Sequence, residues 1–156
     1  MDFCKKKATA RLFAGFDLGL TTVVVTIASY KIVEAVLMRL SPEPDTMAIS
    51  SYTMAKHMAL WFGFFALHVL PLCTAFALFR VTGKGREEMV QMITKCRSWL
   101  KSTLYLLIAL VIMFILFSLD SDVQSFIGSG LCVSEIFIRL VSRCFVQTFY
   151  ESLNSF

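Results

Sequence analysis

A single carboxylate, Asp17, interrupts the first long apolar segment of the chain, six residues past Arg11. A carboxylate among apolar residues costs free energy unless it reaches the membrane surface, takes up a proton or finds a partner. We interpret Asp17 as an interfacial or paired structural carboxylate. A proton relay is the alternative, and it requires other titratable groups at the same depth. The second and third apolar segments offer only His57 and His68, both in the second.

His57 and His68 lie eleven residues apart, which is close to three helical turns and about 16 Å along a helix axis. They therefore share one helix face. Such a pair could serve a haem- or quinone-binding membrane anchor. A bis-histidine haem, however, needs two ligands at one depth from different helices, and the chain has no third histidine. We favour an interfacial or helix-packing role for both histidines, and keep haem or quinone binding, with second haem ligands from a partner chain, as the alternative.

A third group of charged residues recurs every four positions near the carboxyl end: Glu135, Arg139 and Arg143. On a helix this spacing places them in one stripe. The stripe is a candidate buried charge cluster that pairs internally, binds lipid headgroups or receives an acidic partner helix. A homo-oligomeric channel lined by this helix is a further alternative.

No motif for enzyme chemistry is present: the chain has no phosphate-binding loop, dinucleotide fingerprint, HExxH or nucleophile elbow. The five cysteines include no CxxC pair, and we interpret them as free thiols. We therefore expect no catalytic residue, no metal site and no cofactor, apart from the haem alternative.

Gly15 and Gly19 form a GxxxG motif in the first apolar segment. Small residues four positions apart allow another helix to approach closely. We therefore predict a helix-packing site at these two glycines.

The composition indicates a membrane protein. Of 156 residues, 57% are hydrophobic, with a mean hydropathy of +0.72 and fifteen phenylalanines gathered into long blocks. A soluble domain has about 45–50% apolar residues. We predict one all-α integral membrane domain over residues 1–156.

The apolar blocks place the elements that must position these side chains. We predict three transmembrane helices over residues 12–37, 54–81 and 100–119, the last continuous with an amphipathic helix over 86–99. A carboxyl-terminal amphipathic helix over 131–150 either lies on the membrane or forms a fourth span.

Basic residues predict the orientation. Four precede the first apolar segment and others flank the connection between the second and third, whereas the opposite connection after the first segment carries Glu43 and Asp45. The positive-inside rule then places the amino terminus on the cytoplasmic or matrix side. Five of these residues are candidate lipid-headgroup contacts: Lys84, Arg86, Lys95, Arg97 and Lys101.

The net charge of +4 resides beside the apolar blocks, so we expect no nucleic-acid partner. We predict a non-catalytic accessory subunit of a larger membrane complex, in contact with other membrane subunits and with anionic phospholipids such as cardiolipin. The setting we favour is a respiratory complex or ATP synthase of the mitochondrial inner membrane.

Overall fold

The computed structural model describes residues 3–40, 51–83, 89–119 and 123–154. These residues form four α-helices and no strand: α1 (Phe3–Leu40), α2 (Ser51–Thr82), α3 (Met89–Ser118) and α4 (Val123–Asn154). Each helix contains a stretch long and apolar enough to cross a membrane.

Several helix limits differ from those expected. The basic amino-terminal run, predicted to precede the first span, is itself helical, so α1 begins at Phe3. The amphipathic segment and the third span form one helix from Met89, and a start at Arg86 lies outside the described residues. The carboxyl-terminal helix α4 begins at Val123, not at residue 131, because it continues through Gly128 and Gly130.

The four helices form an up-down-up-down bundle. Helix α1 packs against α2 and α4, and α3 packs against the same two helices. Helices α1 and α2 are antiparallel. Gly15 lies near Phe79, whereas Val24, later on α1, shares a core with Trp61, which lies earlier on α2. Short connections between antiparallel neighbours are the usual basis of such bundles.

The apolar interior is divided into two clusters. The first core includes Ala14, Leu78, Trp99 and Phe149, and the second includes Phe64, Leu110, Phe117 and Cys132. Along every helix, a buried polar segment lies between the residues of the first core and those of the second. The bundle is therefore two apolar layers separated by a polar one.

The second core depends on a close contact between α3 and α4. The ring of Phe117 lies so near Gly128 that a Cβ on the glycine would be 2.6 Å from it. The same ring packs on Trp61, with centroids 5.4 Å apart. Glycine at position 128 thus permits the aromatic centre of this core.

Candidate functional site: a buried polar layer

The polar layer consists of side chains contributed by all four helices. Each is at most 1% exposed, and they are Asp17 and Thr21 of α1, His68 of α2, Trp99 of α3, and Glu135 and Arg139 of α4.

On α1, α2 and α4, the layer lies near the middle of the stretches that are long and apolar enough to cross a membrane. Thr21 is the middle residue of Lys5–Leu37, and His68 is the middle residue of Met54–Thr82. Arg139 is one of the two middle residues of Ser125–Asn154. Ionisable groups at this depth are rare and costly unless they find partners.

Arg139 joins α4 to α1. Its Nη1 donates a hydrogen bond to Asp17 Oδ1, and its Nη2 donates to Thr21 Oγ1 at 2.8 Å. Nη2 also lies 3.4 Å from Glu135 Oε1, one turn earlier on α4. The guanidinium charge is therefore shared by two carboxylates and fixed by a hydroxyl.

Asp17 accepts hydrogen bonds on both carboxylate oxygens. Trp99 Nε1 donates to Oδ2 at 2.8 Å, while Oδ1 accepts from Arg139. The Thr21 hydroxyl donates to the Asp17 carbonyl oxygen at 2.7 Å and remains an acceptor for Arg139. Asp17 thus connects α1, α3 and α4 at a single point.

His68 and Glu135 connect α2 to α4. His68 Nδ1 lies 2.6 Å from the Phe64 carbonyl oxygen, and His68 Nε2 lies 2.6 Å from Glu135 Oε2. A carbonyl oxygen only accepts, so Nδ1 carries a proton. The second contact also requires a proton, located either on Nε2 or on the carboxyl group.

Both locations of that proton leave the His68–Glu135 pair with no net charge. An imidazolium with a carboxylate has no net charge, and neither has a neutral imidazole with a carboxylic acid. Because Asp17 and Arg139 also neutralise each other, the layer as a whole is electrically neutral. Neutrality reduces the cost of enclosing charged groups in a medium of low dielectric constant.

Two buried polar atoms of this region make no hydrogen bond within the described part of the chain. They are Arg139 Nε and Ser102 Oγ. Ser102 lies three residues past Trp99 on α3 and is 5% exposed. The layer is therefore well paired around its carboxylates but not at every atom.

The structure brings together four residues that the sequence marked separately: Asp17, His68, Glu135 and Arg139. Arg143, the third member of the carboxyl-terminal stripe, is half-buried and lies one turn beyond Arg139. His57 is also half-buried, eleven residues from His68.

Sequence reasoning did not identify Thr21 and Trp99 as members of the layer. Thr21 lies four residues after Asp17, so it shares a helix face with it, and this spacing was an available signal. Trp99 carried no comparable signal, because the rotation of α3 about its axis decides whether its indole reaches Asp17.

Of the two glycines in the predicted helix-packing site, only Gly15 lies close to another helix of this chain. A Cβ on Gly15 would lie 3.2 Å from the Phe79 ring of α2, so this glycine lies on the seam between α1 and α2. Around Gly19 there is open space to 4 Å. Within this chain, the close approach involves Gly15 and an aromatic side chain.

Three of the five predicted headgroup residues belong to the described part of the chain. Lys95, Arg97 and Lys101 are exposed on α3. Lys84 and Arg86 lie outside the described residues, as do Glu43 and Asp45.

The haem alternative meets a geometric obstacle at His68. Both ring nitrogens are engaged, one with the Phe64 carbonyl and one with Glu135, so neither is available to iron without breaking a buried hydrogen bond. Within the described ranges, no group of three or more His, Cys, Asp or Glu side chains is arranged to hold a metal ion.

No protein-family model, curated protein or solved structure matches this chain.

Proposed function

We propose that this chain is a non-catalytic accessory subunit of a larger membrane complex, acting as a rigid four-helix scaffold. The observation that carries the proposal is the self-contained pairing of the polar layer. Asp17, His68, Glu135 and Arg139 use their charges and hydrogen bonds on one another inside the bundle.

The outer surface supports the same proposal. Large apolar side chains are exposed on every helix, among them Phe16 (55%), Phe62 (63%), Tyr105 (66%) and Phe137 (69%). A surface of this kind suits lipid chains and the apolar faces of partner helices.

In this proposal α4 crosses the membrane as a fourth span. Its charged residues Glu135 and Arg139 face the bundle interior, whereas Phe126, Val133 and Phe137 are exposed. A helix lying on the membrane would present the reverse arrangement, with its charges toward water. Both termini then lie on one side, which the basic residues favour as the cytoplasmic or matrix side.

The mitochondrial inner membrane, within a respiratory complex or ATP synthase, is the setting that we favour. The exposed cations nearest the start of α3, Lys95 and Arg97, would extend toward anionic headgroups such as those of cardiolipin. Lys101, two residues past Trp99, lies too near the level of the polar layer for this contact. This setting rests on the class of protein and on charge placement.

The two alternative functions fit the geometry less well. A channel lined by α4 needs Glu135 and Arg139 to face a pore between copies, but both are buried within one bundle. A haem anchor that uses His68 needs a ring nitrogen that is already engaged, which leaves His57 as the other candidate ligand.

The first experiment is gentle detergent extraction of the tagged chain from its native membrane, followed by native-gel separation and mass spectrometry. We expect the chain to migrate with a defined particle much larger than itself. Migration as a monomer or small homo-oligomer would contradict the scaffold proposal. Haem absorbance in the band that is lost with His68→Ala would favour the anchor instead.

The variant Arg139→Gln provides an internal comparison. It disrupts the layer while leaving the outer surface unchanged, so we expect less of the chain in the particle. Phe137→Leu changes only an exposed apolar side chain to another and serves as the matched control.

A further inference from the structure

A groove runs between the amino-terminal part of α1 and the carboxyl-terminal part of α2. It has a volume of about 590 Å³, and its lining includes Lys7, Arg11, Leu12, Gly15, Phe79 and Gly83. It lies beside the first core, on the amino-terminal side of the polar layer along α1.

One part of the groove is positively charged. Lys7 and Arg11 are four residues apart on α1 and therefore share a helix face. The Arg11 guanidinium carbon lies 5.1 Å from the centroid of the Phe79 ring and 3.4 Å from the position of a Cβ on Gly83. Arg11 thus spans the seam between the helices. Among the described residues that line the groove, none is acidic.

The other part is apolar and leads toward the membrane centre. Leu12 is 68% exposed, and Gly15 leaves only a narrow gap to the Phe79 ring. One turn further, Gly19 has open space around it. An extended hydrocarbon chain would fit along this side of α1, over Leu12 and Gly15.

The basic part of the groove lies at the level of lipid headgroups, and its apolar part lies at the level of the acyl chains. The membrane-spanning stretches begin at Lys5 on α1 and end at Thr82 on α2, so Lys7 and Gly83 lie at the headgroup level. Leu12 and Gly15 lie one to two turns deeper, at the level of the acyl chains.

We propose that this groove binds one anionic glycerophospholipid. The phosphate lies against Arg11 and Lys7, and one acyl chain lies along Leu12 and Gly15. The preference for an anionic lipid follows from charge complementarity, because a choline headgroup would bring a third cation beside the Lys7 ammonium and the Arg11 guanidinium. The proposal requires that the chain cross a membrane, but it does not require the accessory role.

The test is lipid retention by the purified full chain, measured by native mass spectrometry. The chain is extracted, exchanged into detergent and titrated with dioleoyl phosphatidylglycerol or with dioleoyl phosphatidylcholine, which has the same acyl chains. We expect one phosphatidylglycerol to be retained preferentially. Because a basic residue at the membrane surface contributes about fivefold in affinity, K7Q/R11Q should weaken retention by on the order of 10- to 30-fold.

The matched control is K5Q/K6Q, which removes the same charge from the same end of α1 but from residues outside the groove lining. It should retain the lipid nearly as well as the wild type. An equal loss in the two double variants would overturn the proposal, because it would indicate diffuse attraction to a basic terminus. Equal retention of phosphatidylcholine and phosphatidylglycerol by the wild type would also overturn it.

A second pair of variants tests the site without removing Lys7 or Arg11, so its result does not depend on the stability of K7Q/R11Q. Ala8 is exposed and lines the groove, so A8E places a carboxylate beside Arg11 without disturbing the core. We expect A8E to reduce phosphatidylglycerol retention and A8Q to preserve it. Unchanged retention in A8E, in a sample with the wild-type helix content, would contradict the proposed site.

Discussion

Arg139 of α4 and Asp17 of α1, separated by 122 positions in sequence, form an ion pair between the two apolar cores. This contact joins the first helix to the last. The same Asp17 accepts from Trp99 of α3, and Glu135 beside Arg139 contacts His68 of α2. One connected network therefore sets the relative height of all four helices.

Removal of one partner from this ion pair should be strongly destabilising. In Asp17→Asn, the guanidinium of Arg139 remains buried with only Glu135 as a charged partner, at 3.4 Å. Breaking a buried pair from one side costs about 3–5 kcal/mol. We expect a loss of this size in the free energy of unfolding, measured by titration of mixed micelles with a denaturing detergent.

Two further variants identify the cause of that loss. Glu34→Gln breaks the Lys31–Glu34 pair on the same helix, where the side chains are 15% and 27% exposed, and should cost less than about 1 kcal/mol. The double variant D17N/R139Q should lose less than the sum of the two single variants, since neither charge is then left alone. Additive losses would refute the coupling.

The hydrogen bonds of His68 predict its tautomer. Nδ1 should be protonated, because it faces the Phe64 carbonyl oxygen, and Nε2 should share a proton with Glu135. In E135Q the amide donates to Nε2, which leaves a neutral ring with its proton on Nδ1. Nitrogen NMR of histidine-labelled protein, with His57 assigned through H57Q, distinguishes these states. A bare Nδ1 in the wild type would contradict the arrangement.

Replacement by alanine should destabilise the bundle at Gly128 but not at Gly130. A Cβ at position 128 would lie 2.6 Å from the Phe117 ring, whereas nothing lies within 4 Å of a Cβ at 130. We expect G128A to lose about 1–3 kcal/mol through overpacking, and F117L to restore part of that loss. G130A should be neutral or more stable by up to about 1 kcal/mol, because alanine favours helices. Thermal unfolding in detergent micelles provides the measurement, and equal effects of the two alanines would argue against this contact.

The helical membrane class could be predicted from the apolar blocks, and the helix limits only approximately. Such blocks are apolar on every side, so their sequence does not reveal which face turns inward. The first span was predicted to begin near residue 12 and the last helix near residue 131, whereas α1 begins at Phe3 and α4 at Val123. The basic amino-terminal run is rich in Lys, Ala and Arg, which favour helices. At Gly128, the contact with Phe117 accompanies a helix that continues despite the weak helix preference of glycine.

The members of the polar layer could be predicted more easily than their connections. Asp17, His68, Glu135 and Arg139 were all recognised as unusual within apolar segments. The titratable groups expected as possible relay partners of Asp17, His57 and His68, belong to the second helix, whereas its charged partner lies in the fourth. Placing Arg139 at the depth of Asp17 requires α4 to stand beside α1 as a member of the bundle, and only tertiary packing determines that.

The side of the membrane reached by the carboxyl terminus tests the role of α4. If all four helices cross, the two termini lie on one side; if α4 lies on the surface, they lie on opposite sides. We expect the same side, because Glu135 and Arg139 face inward and Phe137 faces outward. Short epitope tags at either end, probed with a protease in sealed vesicles before and after permeabilisation, provide the measurement. A lumenal protein of known orientation controls for leakage, and protection of only one tag would show that α4 does not cross.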